Sequence, residues 1–271
     1  MPDSSVPDAA LATLLSLSAA DALGAATEFK TPDAIQARYG VIDSYQPGSV
    51  FGFLPGEATD DSQMVAATLL GYARGTGHVG VLDALREWQA AGPPDVGALT
   101  GSALRQGPAA ADRLGGGARA WQASGHQSAG NGGLMRIAAV WLAGFRGEAL
   151  ARESAVVTAL THADPRCVHA SVFFTTFMEA LDSGQLYAEA AARGLEVMAG
   201  LDARSVLLDA GVLGINLRET FGAFGSQDRE ARAQVRARVR SGLAGHVTSQ
   251  SGYVLDTLEA AVAHASAEDW L

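Results

Sequence analysis

RCVHASVFFTTFMEAL, residues 166–181, decides the fold class, because its apolar residues recur three and four positions apart and no strand-like alternation interrupts them. The same helical spacing is present in DAALATLLSLSAADALGAA (8–26) and in DDSQMVAATLLGYARG (60–75). Segments rich in glycine and proline, such as 46–58 and 91–97, separate these stretches. The sequence therefore predicts an all-α protein, a compact bundle of several helices.

Composition limits the number of domains and the classes of partner. A chain of 271 residues with 48% hydrophobic residues can bury one substantial core, so we expect a single domain over residues 1–271. The formal net charge of -10 disfavours a protein that binds the nucleic-acid backbone. Cys167 is the only cysteine, which excludes an intrachain disulfide and a cysteine metal cluster.

The N-terminal apolar stretch has no basic leader and is interrupted by Asp21, so it does not resemble a signal peptide. No segment has the long uncharged run that a membrane span needs. We therefore expect a cytoplasmic protein without a membrane anchor.

One segment, residues 226–245, carries arginines that would share a helix face: Arg229, Arg232, Arg236 and Arg240. A nucleic-acid surface is one interpretation of this pattern. A face that simply contacts water is the favoured one, because charged runs on helices usually face solvent.

Three consecutive oxygen-bearing residues, Thr59, Asp60 and Asp61, stand where a helix is predicted to begin, within PGEATDDSQM (55–64). Threonine is a good N-cap, and acidic residues in a first turn favour the positive end of the helix dipole. Alternatively, the same oxygens form the hard ligand set that Mg²⁺ or Mn²⁺ prefers. Two adjacent carboxylates repel each other unless a cation lies between them.

Three glycines, Gly130, Gly132 and Gly133, lie in SAGNGGLMR (128–136), directly before a predicted helix. Free backbone amides at a helix N-terminus suit a phosphate or another anion. The spacing matches neither a phosphate loop nor a dinucleotide fingerprint, and a plain glycine turn explains the residues equally well.

Three more residues each have a structural and a functional interpretation. Asp95 follows two prolines in AGPPDVG (91–97) and is either a turn residue or a positioned acid or base. His162 is either a half-buried residue near a helix end or a catalyst, and Glu28 could be an ordinary exposed helix residue.

Six segments occur in the order in which they are found in the ADP-ribosylglycohydrolases, the family of the dinitrogenase reductase-activating glycohydrolase, which the chain resembles over nearly its whole length. They are DALGAATEF (21–29), PGEATDDSQM (55–64), GPPDVG (92–97), SAGNGGLMRIA (128–138), LTHADPRCVHA (160–170) and SGYVLDTLEAA (251–261).

This resemblance implies an orthogonal all-α bundle with two divalent cations, Mg²⁺ or Mn²⁺, at the floor of a cleft. It implies an enzyme that removes ADP-ribose, its product, from a modified protein side chain or from a small ADP-ribosyl substrate. The helix that begins at SGYVLDTL favours the branch that acts on modified arginine.

The resemblance also implies a role for each matched residue. Thr59, Asp60 and Asp61 match metal ligands, Glu28 matches a residue that meets or gates the substrate ribose, and Asp95, with Gly97 beside it, matches a catalytic loop. The remaining matches would contact ADP-ribose: Ser128, Gly130, Asn131, Gly132, Gly133, Met135, His162 and Tyr253. A metal-bound water would then attack the anomeric carbon, with Glu28 or Asp95 transferring protons.

The family's later Asp-x-Asp-Thr element of metal ligands is missing before the chain ends at SAEDWL (266–271). Val254 to Thr257 read V-L-D-T, without the first aspartate, so Asp256 and Thr257 are not assigned as ligands. We expect either a truncated chain or a natural form with an incomplete metal site. Two alternatives therefore stay open: an ADP-ribose-binding module or inactive relative, and a metal-dependent hydrolase of another phosphate ester.

Overall fold

The structure is a computed structural model that describes residues 8–106, 113–214, 218–249 and 251–265. Within these ranges the regular elements are thirteen α-helices and one 3₁₀ turn, and the only β-type pairing is an isolated bridge between Gly130 and Tyr253. The predicted all-α class is confirmed. The last residues, SAEDWL (266–271), at which the chain ends without the Asp-x-Asp-Thr element, lie outside the described residues.

The predicted helical stretches 8–26, 60–75 and 166–181 fall on the first, third and ninth helices. The helices are α1 (Asp8–Gly24), α2 (Pro32–Tyr39), α3 (Asp60–Ala73), α4 (Gly77–Ala90), α5 (Ala98–Leu104), α6 (Gly116–Ala123), α7 (Ala138–Leu142), α8 (Gly147–Ala159), α9 (Pro165–Asp182), α10 (Tyr187–Gly200), α11 (Ala203–Asp209), α12 (Arg218–Leu243) and α13 (Val254–Ala265), and the 3₁₀ turn is Asn131–Gly133.

Helix α9 is the centre of the bundle, with α8, α10, α12 and α13 packed around it. It begins at Pro165 because the Asp164 carboxylate accepts the Arg166 N–H at 2.8 Å and proline suits the first helical position. Its apolar residues are buried on nearly every side, and Phe173 and Phe177 stack with centroids 5.6 Å apart. A helix that is apolar all round is stable only inside such a bundle.

Helix α3 is fixed by close packing on α4. A Cβ atom added to Gly71 would lie 2.4 Å from the Val81 Cα, so the two backbones approach as closely as only glycine allows. Because Thr59, Asp60 and Asp61 stand at the other end of α3, this contact gives the predicted metal ligands a rigid support.

Helix α1 is less buried than its apolar sequence suggests, since Leu11 and Leu15 are exposed and Ala22 is the buried residue among those described in it. Its C-terminal end nevertheless contacts α3, where Asp21 reaches the start of that helix. No helix in the described part of the chain is long and apolar enough to cross a membrane.

The predicted arginine face lies on α12. Arg229, Arg236 and Arg240 are exposed, as a face in contact with water requires. Arg232 differs, because its guanidinium forms an ion pair with Asp228 at 2.8 Å and donates to carbonyls at the C-terminal end of α10. This arginine therefore joins two helices of the bundle.

Candidate active site

A cleft of about 890 Å³ opens between the end of α1, the start of α3, α13 and residues 128–135, which we call the glycine loop. It gathers residues that the sequence places far apart. Seven of the predicted site residues line this cleft: Glu28, Asp60, Asp61, Asp95, Gly97, Asn131 and Met135. The other predicted residues do not line it. Thr59, Gly132, Gly133 and His162 are buried, and Ser128, Gly130 and Tyr253 are partly buried.

Asp21 is a site residue that the sequence analysis did not assign. Its carboxylate accepts the N–H groups of Thr59 and Ser62, at 2.9 and 3.2 Å, and both of their hydroxyls. Thr59 occupies the N-cap position of α3 but makes no side-chain cap bond, so Asp21 from α1 caps the helix instead. The sequence signal that could have identified Asp21 is that it is a single carboxylate in the otherwise apolar C-terminal part of α1.

Four further carboxyl groups face one another around the cleft. Burial, and then the charges of neighbouring carboxylates, raise the pKa values of Glu28, Asp60 and Asp61 to about 7. Asp95 hydrogen-bonds with Asp60, while burial raises its own pKa. Asp21 adds its negative charge to that felt by Glu28, Asp60 and Asp61. A cation would relieve this repulsion and restore the ionised forms.

The donor set fits a hard divalent cation only in part. Carboxylate oxygens of Asp60 and Asp61, with the nearby Thr59 hydroxyl, have the chemistry that Mg²⁺ and Mn²⁺ prefer. Among the described residues, no three histidine, cysteine or acidic side chains converge into a ready metal cluster. A complete coordination shell would therefore need waters or substrate oxygens, which Mg²⁺ commonly keeps.

The glycine loop packs against a buried histidine. A Cβ atom on Gly132 would lie 2.9 Å from both His162 Cε1 and Thr100 Oγ1, and one on Gly133 would lie 2.8 Å from Thr158 Cγ2. The glycines are thus required for packing, and contact of their amides with an anion stays a prediction. The helix predicted directly after the glycines differs from expectation, because Asn131–Gly133 itself forms a 3₁₀ turn and the next helix, the five-residue α7, begins only at Ala138.

His162 lies behind the glycine loop, with only 2% of its surface exposed. Its Nδ1 is 2.8 Å from the Thr161 hydroxyl, and burial lowers its pKa to about 3. The ring is therefore neutral near pH 7. In this position His162 supports the loop from within the core.

Arg136 holds the same loop from below and is fully buried. Its guanidinium donates to the Gly132 carbonyl, to the Val157 carbonyl at 3.1 Å and to the Thr161 hydroxyl at 2.7 Å. Burial lowers its pKa to about 10, so it stays protonated at neutral pH. A buried cation bonded to the loop carbonyl fixes the backbone of the predicted anion site.

Tyr253 is joined to the glycine loop by backbone pairing. Asn131 donates its N–H to the Gly252 carbonyl and Val254 donates its N–H to the Ala129 carbonyl, each at 2.9 Å. The Arg166 guanidinium lies 5.6 Å from the Tyr253 ring centroid and 3.3 Å from its hydroxyl. These contacts hold the start of α13 beside the loop.

Asp256 and Thr257, which were not assigned as ligands, also line the cleft. The Asp256 carboxylate already accepts the Ser251 hydroxyl at 2.7 Å and forms an ion pair with Arg238 at 3.0 Å. Arg238 in turn pairs with the buried Glu259 at 2.7 Å. One guanidinium thus serves two carboxylates and balances the charge of Asp256 only in part.

The chain is similar to a known protein family over nearly its whole length. The model of the ADP-ribosylglycohydrolase family matches residues 2–270. A curated relative, the ADP-ribosyl-[dinitrogen reductase] glycohydrolase of Rhodospirillum rubrum, is 38% identical over 96 residues. That match covers 34% of this chain and 32% of the relative, so it spans about a third of each. The family model covers nearly every residue, and the chain belongs to the ADP-ribosylglycohydrolase family.

Proposed function

We propose that this protein removes ADP-ribose from a modified protein side chain, with arginine as the favoured acceptor, by attack of water at the anomeric carbon with the help of two divalent cations. The observation that carries the proposal is the cluster of carboxyl groups on one wall of a cleft whose other wall is the glycine loop. The family match and the relative's name support the removal of ADP-ribose.

In this proposal Thr59, Asp60 and Asp61 hold Mg²⁺ or Mn²⁺, and Asp21 holds those residues in place. A bound cation would orient ribose hydroxyls and lower the pKa of a coordinated water. The protein itself supplies the negative charge of these carboxylates. That charge stabilises both the cation and the positive charge that develops on the ribose.

Glu28 and Asp95 are the proposed proton-transfer residues. Both line the cleft on the side that carries Asp60 and Asp61, which places a carboxyl group of each beside a substrate bound there. Gly97 occupies the N-cap position of α5, two residues after Asp95, and also lines the cleft. Asp95 would assist the leaving group or the water, and Glu28 would contact the ribose.

The glycine loop, from Ser128 to Met135, is the proposed site for the diphosphate and its riboses, with Tyr253 beside it. Arg136 donates a hydrogen bond to the loop and His162 packs against it, so both fix the conformation of its backbone. Free ADP-ribose is the expected product.

The test is hydrolysis of a protein ADP-ribosylated on arginine, with Mg²⁺ or Mn²⁺ present. Asparagine at both Asp60 and Asp61 removes the charges and keeps the side-chain shape, so release of ADP-ribose should fall below detection. Asp43→Asn, at an exposed carboxylate outside the cleft, is the matched control and should retain wild-type turnover. Unchanged turnover of the double variant in chelator-free buffer would rule the assignment out.

A second candidate is an ADP-ribose-binding module without hydrolytic activity. It is favoured by the lack, among the described residues, of three converging metal-ligand side chains. Isothermal titration separates the two candidates. Tight binding of ADP-ribose in the presence of EDTA, with no release from a modified protein, would identify the module.

A further inference from the structure

Arg166 lies between two segments that are predicted to contact ADP-ribose. Its guanidinium donates to the Gln127 carbonyl at 2.9 Å, directly before the glycine loop, and to the Tyr253 hydroxyl at 3.3 Å, directly before α13. The guanidinium also lies 5.6 Å from the centroid of the Tyr253 ring, a distance at which a cation is attracted to an aromatic face. One side chain therefore contacts both segments.

The orientation of Arg166 is fixed from the core by Asp164, whose carboxylate is fully buried. Asp164 Oδ1 accepts a hydrogen bond from Arg166 Nε at 2.8 Å, and Oδ2 accepts one from Nη2 at 2.7 Å. Oδ2 also accepts from Nε1 of the buried Trp121 at 2.9 Å. Because the planar guanidinium makes two parallel bonds to a carboxylate that is itself held in place, it cannot rotate without breaking both.

The backbone of Tyr253 is held by its bridge with Gly130, but that pairing does not fix the side chain. The partly buried ring could still rotate about its side-chain bonds, and the contact with the Arg166 guanidinium limits this rotation. Arg166 itself stands outside the set of residues that line the cleft, whereas Gly252 and Asn131, which pair through their backbones, belong to it. Arg166 is therefore placed to act on a ligand through its neighbours.

Neutralising the charge of Asp164 explains only part of this arrangement. Nε and one hydrogen of Nη2 suffice for the ion pair at the start of α9. The other hydrogen bonds of the guanidinium end on Gln127 and Tyr253, which are 39 and 87 positions away in the sequence. A lysine would neutralise Asp164 as well, but a single ammonium group cannot serve all these acceptors. The fork of the guanidinium thus links the buried carboxylate to both segments.

We infer that Arg166 is a positioning residue for the binding of ADP-ribose, which fixes the Tyr253 side chain and the start of the glycine loop and does not contact the reacting atoms. This inference rests on the proposed function, in which both segments bind ADP-ribose. A wall that is ordered before the ligand arrives binds it at a lower entropy cost. Loss of the guanidinium therefore weakens binding and leaves the chemical step intact.

The experiment measures the Kd of ADP-ribose by isothermal titration, with Mg²⁺ present, for Arg166→Lys, Tyr253→Phe and the double variant. Lysine keeps a positive charge beside Asp164 but lacks the fork, and phenylalanine lacks the hydroxyl that Arg166 contacts. We expect each single variant to raise Kd about tenfold. Because Arg166 acts through Tyr253, the double variant should bind within about twofold of the weaker single variant, whereas independent effects would multiply to about a hundredfold.

Hydrolysis of a protein ADP-ribosylated on arginine gives a second readout. For Arg166→Lys, KM should rise by about the same factor as Kd, with kcat within about twofold of wild type. A residue that served only the fold would lower the melting temperature and leave the Kd of the folded protein unchanged. The matched control is Arg229→Lys, at an exposed arginine of α12, which should keep the wild-type Kd and KM.

A wild-type Kd for Arg166→Lys, or a hundredfold loss for the double variant, would overturn the inference. Tyr253→Phe leaves the ion pair of Asp164 untouched, so if Arg166→Lys does not fold, an unchanged Kd for Tyr253→Phe would overturn it instead. Wild-type protein that binds ADP-ribose without hydrolysing the modified protein would defeat the proposed hydrolysis alone, and the titrations would still decide the role of Arg166. Wild-type protein that does not bind ADP-ribose would defeat both.

Discussion

Asp21 is expected to control both the stability of the fold and the geometry of the acidic site. Replacing it with alanine leaves the N–H groups of Thr59 and Ser62 without their acceptor, at a place where α1 and α3 meet. Two hydrogen bonds to a carboxylate contribute about 4 kcal/mol, and relief of repulsion with the other carboxylates returns about 1 kcal/mol. We therefore expect Asp21→Ala to lower the free energy of unfolding by about 3 kcal/mol.

The assay is urea unfolding followed by far-UV circular dichroism, in buffer containing EDTA so that cation binding does not contribute. Asp21→Asn retains an acceptor oxygen and should lose only about 1 kcal/mol. The control is Asp33→Ala, at an exposed carboxylate in α2, which should change stability by no more than about 0.5 kcal/mol. A loss below about 1 kcal/mol for Asp21→Ala, or an equal loss for Asp33→Ala, would refute the role assigned to Asp21.

Three further predictions concern the walls of the site. Gly132→Ala should lower the melting temperature, because its new Cβ atom would lie 2.9 Å from the buried His162 ring. Gly130→Ala should not, because its Cβ atom would lie 3.6 Å from the same ring. Equal melting temperatures of the two variants would contradict the packing role of Gly132. Arg136→Lys keeps the charge, but an ammonium group cannot reach the three acceptors that the guanidinium serves, so the melting temperature should fall. An unchanged melting temperature would contradict the role of Arg136 in holding the loop. The raised pKa values of Asp60 and Asp61 mean that the folded, metal-free protein binds more protons than the unfolded chain between the ordinary value of 3.8 and about 7. Stability in EDTA should therefore fall as pH rises through that window, and Asp61→Asn should be more stable than wild type at pH 8 by on the order of 1–2 kcal/mol. Urea unfolding at pH 5 and pH 8 measures this difference, and a wild-type protein that is equally stable at both values would contradict it.

The helices could be predicted from the sequence because their apolar spacing is local. The stretches 60–75 and 166–181 match α3 and α9 to within two residues at each end, since capping residues and glycines mark the boundaries. Helix α1 shows the limit of this reasoning. Its spacing is typical of a core helix, but burial depends on which neighbours cover it, and the described residues leave most of its surface exposed.

The acidic cluster could be predicted only through the resemblance to a family. From the residues alone, a role of Thr59 in capping α3 was favoured over a role in binding a metal. The deciding partner, Asp21, is separated from it by 38 positions in the sequence, and only the fold brings the two together. Asp256 reaches the cleft for the same reason, through the packing of α13 against α12.

The glycine loop was predicted as an anion site, and the structure adds a different reason for its composition. Gly132 and Gly133 face His162 and Thr158 in the core, so a bare backbone is needed even without a ligand. The buried Arg136 beneath the loop was not predicted, because an arginine in a short apolar run looks like any other polar interruption. Its three hydrogen-bond acceptors belong to Gly132, Val157 and Thr161, which only the fold brings together.

The most direct test of the central claim, that the acidic cluster binds divalent cations, is an anomalous-scattering map of crystals soaked in Mn²⁺ at a concentration used for the activity assay. Two peaks within coordination distance of the Asp60 and Asp61 carboxylates are expected. A map without density for manganese beside these residues, in crystals of otherwise intact protein, would contradict it.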